Sequence, residues 1–394
     1  MDIYSWQEEV WRILAQVPRE RGMPMSHALL LRGRHGIGKL AFATQLAQSR
    51  LCERPSAEGE ACRNCASCRW FRHRSHPDFR LVEPEAMSAM SGSHRGLADE
   101  GSNDPQIGAG MESTDTGIES GAGADEADGA DGVKLGSAKS KKKPSKQISV
   151  AQIRELADFI NISSHQNGCK IILIHPAEMM NPAAANALLK NLEEPPPRTL
   201  FILVTHHAQH LLPTLRSRCR QITMPAPDPA TATAWLEQQG VKNPAICLAS
   251  ASYAPLAALE FNDDNYLDRQ RAFIRQIGTP GNFNPVELAE EMQKSDLPSV
   301  VNWLQKWCYD LMSFRTTRKI RYHLDMSATI KSVATGIDPR LMATYLRTLN
   351  ATQQLAHHPL NPRLFLEDML FSYIMLVAPH PTSVPRLPRP EQAQ

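Results

Sequence analysis

A glycine-rich stretch near the start of the chain has the composition of a phosphate-binding loop. It contains three glycines and a lysine at the spacing of such a loop: Gly33, Gly36, Gly38 and Lys39. Glycines let backbone N–H groups surround phosphates, the following helix adds its dipole, and the lysine can reach the outer phosphates. Leu40 stands where the motif needs a hydroxyl to ligate Mg²⁺. We predict a degenerate nucleotide site, with a glycine-rich turn that binds nothing as the alternative.

A second candidate site is a cluster of cysteines. Four of the eight cysteines in the chain follow a Cys-x9-Cys-x2-Cys-x2-Cys pattern: Cys52, Cys62, Cys65 and Cys68. Four thiolates at about 2.3 Å from a metal close a tetrahedral zinc site and leave no position open for water, so the site should be structural. The alternatives are four buried cysteines, or disulfides in an oxidising compartment.

A third stretch, residues 170–220, carries the elements that position these residues. Residues 170–175 (KIILIH) and 199–205 (TLFILVT) are short β-branched runs typical of strands buried on both faces. Between them Asn181 can cap a helix with Pro182 at its first position. Two such strands joined by a helix predict a crossover in a parallel sheet, and hence an α/β fold.

This stretch also carries a specific combination of sequence motifs. Residues 186–190 (NALLK), 192–196 (LEEPP) and 217–219 (SRC) occur together at this spacing, and in this the chain resembles the bacterial clamp-loader branch of the AAA+ proteins. The resemblance implies that Arg218 acts in trans, reaching across a subunit interface to the phosphates of a neighbour's ATP. It also implies that Thr205 occupies a polar sensor position, and it matches a four-cysteine zinc module after the phosphate-loop helix.

Comparison with active AAA+ ATPases also indicates which residues needed for ATP hydrolysis are missing from this chain. Where an active AAA+ ATPase has Asp-Glu at a strand end, this chain has His175 and Pro176. Glu178 lies nearby, but we expect it to point elsewhere. Residues 241–268 of the lid contain no arginine, and Leu40 lacks the metal-binding hydroxyl. We therefore expect that the chain does not hydrolyse ATP itself and holds ATP in its own site only doubtfully.

The composition limits the remaining possibilities. The chain has 394 residues and a formal net charge of +2. The net charge therefore does not by itself indicate binding to nucleic acid. No apolar run is long enough to cross a membrane, and the first residues do not resemble a signal peptide, so we expect a cytoplasmic protein. Residues 85–147 are poor in apolar side chains, and we expect a disordered insertion there. Its lysines, at positions 139 to 146, could touch DNA phosphates or simply be solvated.

These observations predict the following organisation. We expect an AAA+ α/β domain over residues 1–225 with the zinc module at 52–68, a helical lid over 226–263, a helical collar or oligomerisation domain over 264–378, and a loose tail over 379–394. Apolar residues at helical spacing predict the buried faces. Those faces comprise Trp6, Val10, Ile13 and Leu14; Ile153, Leu156, Ala157 and Ile160; Val300, Leu304, Trp307, Cys308 and Leu311; Leu341, Tyr345 and Leu349; and Phe365, Leu366, Met369, Leu370 and Tyr373.

The resemblance implies a non-hydrolysing subunit of the DNA polymerase III clamp loader, part of the DNA-directed DNA polymerase holoenzyme. Its implied partners are gamma/tau motor subunits and a delta subunit, with the sliding clamp and primed DNA reached through the complex. Two alternatives remain open. One is an active AAA+ motor ATPase of the clamp-loader type, and the other is a zinc-containing DNA-binding module on an inert AAA+ scaffold.

Overall fold

The computed structural model describes residues 3–15, 26–91, 144–162, 168–261, 264–281, 283–356 and 358–377. Most of the predicted insertion and all of the predicted tail lie outside these residues. Within the described part of the chain, no helix combines the length and the apolar character needed to cross a bilayer.

The N-terminal part is built on a parallel sheet of five strands. They are β1 (Ala28–Arg32), β2 (Phe79–Val82), β3 (Lys170–Ile174), β4 (Thr199–Thr205) and β5 (Arg220–Thr223). Their spatial order is β2-β3-β4-β1-β5, and every pairing is parallel. All residues of β3 and β4 are buried, as expected for strands covered on both faces. The carboxyl ends of the strands therefore meet at one edge of the sheet.

Helices cover both faces of this sheet. They are α1 (Glu8–Ala15), α2 (Lys39–Leu51), α3 (Ala66–Arg72), α4 (Glu85–Ser91), α5 (Val150–Asn161), α6 (Pro182–Glu193) and α7 (Pro213–Arg218). The predicted caps are confirmed: Ser149 and Gln152 form a capping box on α5, and Asn181 accepts from the N–H of Ala184 at 2.8 Å. One apolar core packs α5, α6 and α7 on the sheet, and another packs α1 and α2 on the opposite face.

The rest of the chain is helical. Its helices are α8 (Pro229–Gln238), α9 (Pro244–Ser250), α10 (Pro255–Glu260), α11 (Asp264–Ile277), α12 (Pro285–Met292), α13 (Leu297–Thr317), α14 (Ser327–Thr335), α15 (Pro339–Leu355) and α16 (Pro362–Val377). A small core joins α8, α9 and α10, and a larger one joins α11 to α16. The predicted fold class is confirmed: an α/β parallel-sheet domain is followed by a small helical lid and an all-α C-terminal domain.

The predicted apolar face of α13 forms the centre of the C-terminal core. All five of its residues are buried: Val300, Leu304, Trp307, Cys308 and Leu311. Trp307 Nε1 donates to Tyr373 Oη at 2.8 Å, and Tyr373 Oη donates to the carbonyl of Ile277 at 3.1 Å. Helices α11, α13 and α16 are thus joined by hydrogen bonds as well as by packing.

Three predicted helix faces each include one residue that is exposed. Ile13 is 54% exposed while Trp11 is buried, because a 3-10 turn at Ser5–Gln7 precedes α1 and Trp6 is therefore outside its periodicity. Leu341 is 46% exposed, and Met342 takes its place in the core. On α5 the exposed residue is Ala157, and Phe159 is buried instead.

The predicted disordered insertion is too long at both ends. Residues 85–91 form α4, and the described residues begin again at residue 144. The N–H of Ala86 donates to the carbonyl of Ser145 at 3.0 Å, and the N–H of Ser145 donates to Glu85 Oε2 at 3.0 Å. These bonds bring the two ends of the insertion together and give their backbone N–H and C=O groups hydrogen-bond partners. Composition alone does not indicate such pairing.

Two buried charges on α13 bind backbone groups of neighbouring segments, one in the lid and one in the C-terminal domain. Lys306 Nζ donates to the carbonyl of Ser250, the last residue of α9, at 2.6 Å. Asp310 is fully buried on α13 and accepts from the backbone N–H groups of Arg321, Tyr322 and His323 at 2.8 to 3.0 Å. Its carboxylate also bonds His323 Nδ1 at 2.9 Å. One carboxylate thus fixes the chain that leaves α13.

We predict that Asp310→Ala lowers the free energy of unfolding by more than about 3 kcal/mol, because several buried donors lose their partner at about 1–3 kcal/mol each. Denaturant unfolding followed by circular dichroism measures this loss. The control is Asp325→Ala, which removes an exposed ion pair to Arg271 and should cost less than about 1 kcal/mol. Equal losses in the two variants would contradict the assignment.

Candidate nucleotide site, metal centre and interface arginine

The predicted phosphate loop lies between β1 and α2, and its glycines are required by their surroundings. Gly36 and Gly38 have φ values of 75° and 88°, in the left-handed region that favours glycine. A Cβ atom at Gly36 would lie 2.8 Å from Ala257 Cβ, and one at Gly38 would lie 2.6 Å from Tyr4 Cε2. The loop is therefore in close contact with protein on two sides, α10 and the N-terminal segment.

Hydrogen bonds hold the loop from the same two sides. Trp6 Nε1 and Gln7 Nε2 donate to the carbonyl of Ile37 at 3.1 and 2.8 Å. From the lid, the N–H of Leu256 donates to the carbonyl of Gly36 at 2.9 Å. These donors come from the polypeptide itself, and they fix the loop without a ligand.

An aromatic cluster joins the N-terminal segment to the lid. Tyr4 and Trp6 stack with ring centroids 4.7 Å apart. Trp235 of α8 meets both rings edge-on, at 5.7 and 5.8 Å. Such pairs contribute about 0.5–1.5 kcal/mol beyond the area they bury. The segment before α1 therefore connects the phosphate loop to the lid. We call Tyr4, Trp6 and Trp235 the aromatic bridge.

Lys39, the loop lysine, bonds within its own loop. It is 2% exposed, and its Nζ donates to the carbonyl of Arg34 at 2.5 Å. Burial lowers the pKa of the Lys39 ammonium to about 8, and the nearby Glu178 carboxylate partly opposes this. The group that would reach the outer phosphates thus already has a partner.

Imidazoles follow the ends of β3 and β4, and His175 stands where an acid is expected. His175 follows β3, and its ring centroid lies 5.4 Å from that of His206, which follows β4. The His35 ring from the phosphate loop lies 4.7 Å from His206. Burial lowers the pKa of His175 to about 4 and that of His206 to about 2. At neutral pH this histidine cluster (His35, His175 and His206) is uncharged.

Two further predicted positions can be placed here. Thr205, the predicted sensor, is fully buried, and its Oγ1 accepts from the N–H of His207 at 3.2 Å. Glu178 does not point elsewhere: its Oε1 accepts from the N–H groups of His206 and His207 at 2.8 and 3.3 Å. The expectation for Glu178 is wrong because a 3-10 turn, Ala177–Met179, carries its side chain back to the end of β4.

The chemistry available at this strand edge is therefore limited. Carboxylate and hydroxyl oxygens are the ligands that Mg²⁺ prefers. Glu178 accepts bonds from two backbone N–H groups, and the neighbouring imidazoles are neutral. Among the described residues, the cluster of acids, histidines and cysteines that could hold a metal is the cysteine cluster, not this edge.

The four predicted cysteines do come together. The sulfurs of Cys52, Cys62, Cys65 and Cys68 all lie within 4.8 Å of one another, and none forms a disulfide. Cys52 Sγ and Cys65 Sγ are 3.9 Å apart, close to the roughly 3.8 Å edge of a tetrahedron with metal–sulfur bonds of about 2.3 Å. Backbone N–H groups of Cys62, Cys65 and Cys68 donate to three of the sulfurs at 3.2 to 3.4 Å. This donor set can hold a metal ion.

Arg218, the predicted interface arginine, ends α7 beside the last strand. Its side chain is 35% exposed, and Nη2 lies 2.6 Å from Glu193 Oε1 at the end of α6. Nη1 donates to the carbonyl of Thr214 at 3.1 Å. The next residue, Cys219, is buried, and burial raises the pKa of its thiol to about 11. Cys219 therefore anchors the turn in the core while Arg218 reaches solvent.

Several residues of these sites were missed by the sequence reasoning. They are Tyr4, Gln7, His35, Glu193, His206 and Trp235. Tryptophan near the first residue was assigned to a helix face, although its indole N–H needs a partner and could have indicated a polar contact. The partners of Glu193 and Trp235 lie far away in sequence, and no local pattern indicates them.

Known proteins resemble the chain over most of its length. The sequence model of a family described as DNA polymerase III, delta subunit, matches residues 6–228, and one described as DNA polymerase III, delta subunit, C terminal, matches residues 264–374. A DNA polymerase III subunit delta' from Pseudomonas aeruginosa is 28% identical over 96% of this chain and 99% of its own length. One from Escherichia coli is 24% identical over 93% and 94%. A gamma subunit-related protein of DNA polymerase III from Thermotoga maritima aligns over 94% of this chain and 99% of its own, with 14% identity and a TM-score of 0.37.

The buried histidines predict a pH dependence of stability. An unfolded histidine titrates near pH 6.5, whereas burial lowers the pKa of His175 to about 4 and that of His206 to about 2. Below about pH 6.5 the unfolded chain binds protons that the folded chain does not, so stability is complete above this pH and falls as the pH decreases towards about 4. Urea unfolding between about pH 7.5 and about pH 5 measures the decline.

We expect His175→Asn and His206→Asn to reduce this decline. The control, His358→Asn, changes an exposed histidine and should leave it unaltered. Identical pH profiles for wild type and all three variants would show that the histidine cluster is not its source.

Proposed function

The chain belongs to the DNA polymerase III delta-subunit family, and from this premise we propose that it is a non-hydrolysing subunit of a clamp-loader complex. In this role it helps ATP-driven loading of the sliding clamp on primed DNA during replication. The curated relatives are named subunit delta', which supports this assignment within the complex.

The observation that carries the non-hydrolysing role is that residues needed for phosphoryl transfer are replaced at the phosphate loop and at the end of β3. Tyr4 and Ala257 lie against Gly38 and Gly36, and Lys39 bonds the carbonyl of Arg34. A nucleotide bound at this loop would find His175 in place of a catalytic acid and Leu40 in place of the metal-binding hydroxyl. Both features argue against phosphoryl transfer.

In this proposal Arg218 serves a neighbouring subunit. Its guanidinium is partly exposed and lies at the end of a helix whose next residue is buried. An arginine can contact phosphate oxygens through two parallel N–H bonds and stabilise the charge that develops in the transition state. A rigid subunit that lacks its own ATP chemistry can still complete the ATP site of a neighbour.

We further propose that the cysteine centre holds a structural Zn²⁺. Four sulfur donors with tetrahedral spacing satisfy the coordination of zinc and leave no position for substrate water. The centre joins the end of α2 to α3, since Cys52 caps α2 and Cys65 caps α3. Bound zinc would fix a loop of the α/β domain that lacks a large apolar core of its own.

The proposed partners follow from the role. They are the gamma/tau motor subunits and the delta subunit of the clamp loader, with the sliding clamp and primed DNA contacted through the complex. The proposed contact with a motor subunit is at Arg218, and the all-α C-terminal domain is proposed to join the subunits as a collar. Exposed apolar residues such as Leu364 and Met375 on α16 support an interface on that domain.

The first test is steady-state ATP hydrolysis by the chain alone and by the complex with motor subunits, delta subunit, clamp and primed DNA. We expect no turnover by the isolated chain and stimulated turnover in the complex. In Arg218→Ala, the rate of hydrolysis at the ATP site that Arg218 serves should fall at least tenfold, since an arginine finger contributes far more than this. The matched control is the exposed neighbour Arg220→Ala, which should retain activity. Turnover by the isolated chain that Lys39→Ala abolishes would identify a motor instead.

The second test concerns the metal. We expect the purified chain to contain one zinc ion per molecule, and its Co²⁺-substituted form to show thiolate-to-metal absorption typical of four sulfurs. Replacing both Cys62 and Cys65 by serine should abolish binding and lower the melting temperature. Cys169→Ser, outside the cluster, is the control and should keep its metal. Full metal content in the double variant would refute the assignment.

A further inference from the structure

Glu193 and Arg218 form a direct ion pair between two elements that meet at the surface. The pair joins the last residue of α6 to the last residue of α7, at 2.6 Å between Arg218 Nη2 and Glu193 Oε1. The side chains are 35% and 50% exposed, so both remain accessible to a docking partner. Leu192 and Leu215, which are buried in the same core, hold the two helices in register.

The position of Glu193 is unfavourable without this partner. A carboxylate in the last turn of a helix faces the negative end of the helix dipole, which favours cations there. The helix cannot continue and move its negative end away from Glu193, because Pro195 to Pro197 follow after Glu194. Arg218 supplies the compensating positive charge. The second bond of Arg218, to the carbonyl of Thr214, leaves the guanidinium tied at two points.

We propose that Glu193 is a positioning residue, an internal counter-ion that holds the Arg218 guanidinium in place until a phosphate of the neighbour's ATP replaces the carboxylate. This inference rests on the proposed role of Arg218. A partly exposed ion pair is weak enough to be exchanged, whereas a triphosphate brings more negative charge to the same N–H groups. Glu193 therefore competes with ATP for Arg218 and orders the guanidinium while no ATP is present.

Competition of this kind changes the affinity for ATP more than the rate of turnover. In Glu193→Gln the charge is lost and the shape is kept, so the apparent KM for ATP of the complex should fall about 1.5- to 5-fold while kcat stays within twofold. This range is what an exposed pair of about 0.2–1 kcal/mol gives at 1.36 kcal/mol per tenfold. The difference from wild type should shrink as salt is added, because ions screen the exposed pair.

The experiment is stimulated ATP hydrolysis by the full complex, with kcat and KM measured for Glu193→Gln, Glu193→Asp, Arg218→Ala and the Glu193→Gln/Arg218→Ala double variant. The matched control is Glu194→Gln, an exposed carboxylate that makes no ion pair with the described residues. We expect a lower KM for Glu193→Gln, a KM near wild type for Glu193→Asp and for the control, and no effect of Glu193→Gln once Arg218 is absent.

The outcomes separate the two proposals. If Arg218→Ala impairs turnover but Glu193→Gln leaves KM unchanged, the proposed counter-ion role of Glu193 is wrong, while the proposed role of Arg218 at the neighbour's ATP is supported. If Glu193→Gln lowers kcat in both the wild-type and the Arg218→Ala background, Glu193 is merely structural and the inference fails. If Arg218→Ala itself leaves turnover unchanged, the finger is wrong and the inference falls with it.

Discussion

The close packing of the phosphate loop against other parts of the chain is the constraint on which the rest of the structure depends. Two left-handed glycines bring the loop so close to Tyr4 and Ala257 that no side chain fits between them. Gln7 and Leu256 donate to the carbonyls of Ile37 and Gly36, and Lys39 donates to the carbonyl of Arg34. Because Gln7 lies before β1 and Leu256 lies in the lid, these bonds also hold both segments against the loop.

The remaining parts can be understood as consequences of this arrangement. Since the parallel sheet brings its strand ends to one edge, His175 and His206 fill the space beside the loop. Their burial lowers both pKa values and keeps the imidazoles neutral, which is compatible with a densely packed edge. At the end of α7, by contrast, Arg218 is partly exposed, while the next residue, Cys219, is buried.

Much of the fold could be predicted from the sequence because its signals are local. β4 and the caps of α5 and α6 were predicted to the residue. The four cysteines lie close together in sequence, and their sulfurs are close together in the structure. The division of the chain into domains and the role of each site residue remain predictions. Contacts between distant residues could not be derived: nothing near Trp235 indicates Tyr4, and nothing near Glu178 indicates that a 3-10 turn returns it to the end of β4. Ile13 and Leu341 are exposed although the other residues of their predicted faces are at least partly buried, since periodicity gives the edge of a helix face only to within one residue.

The aromatic bridge has a consequence for how the lid is attached. Tyr4 and Trp6 precede β1 and Trp235 lies on α8, so their ring contacts join the first residues of the described chain to the lid. All three rings belong to the polypeptide itself, so this attachment requires no bound nucleotide.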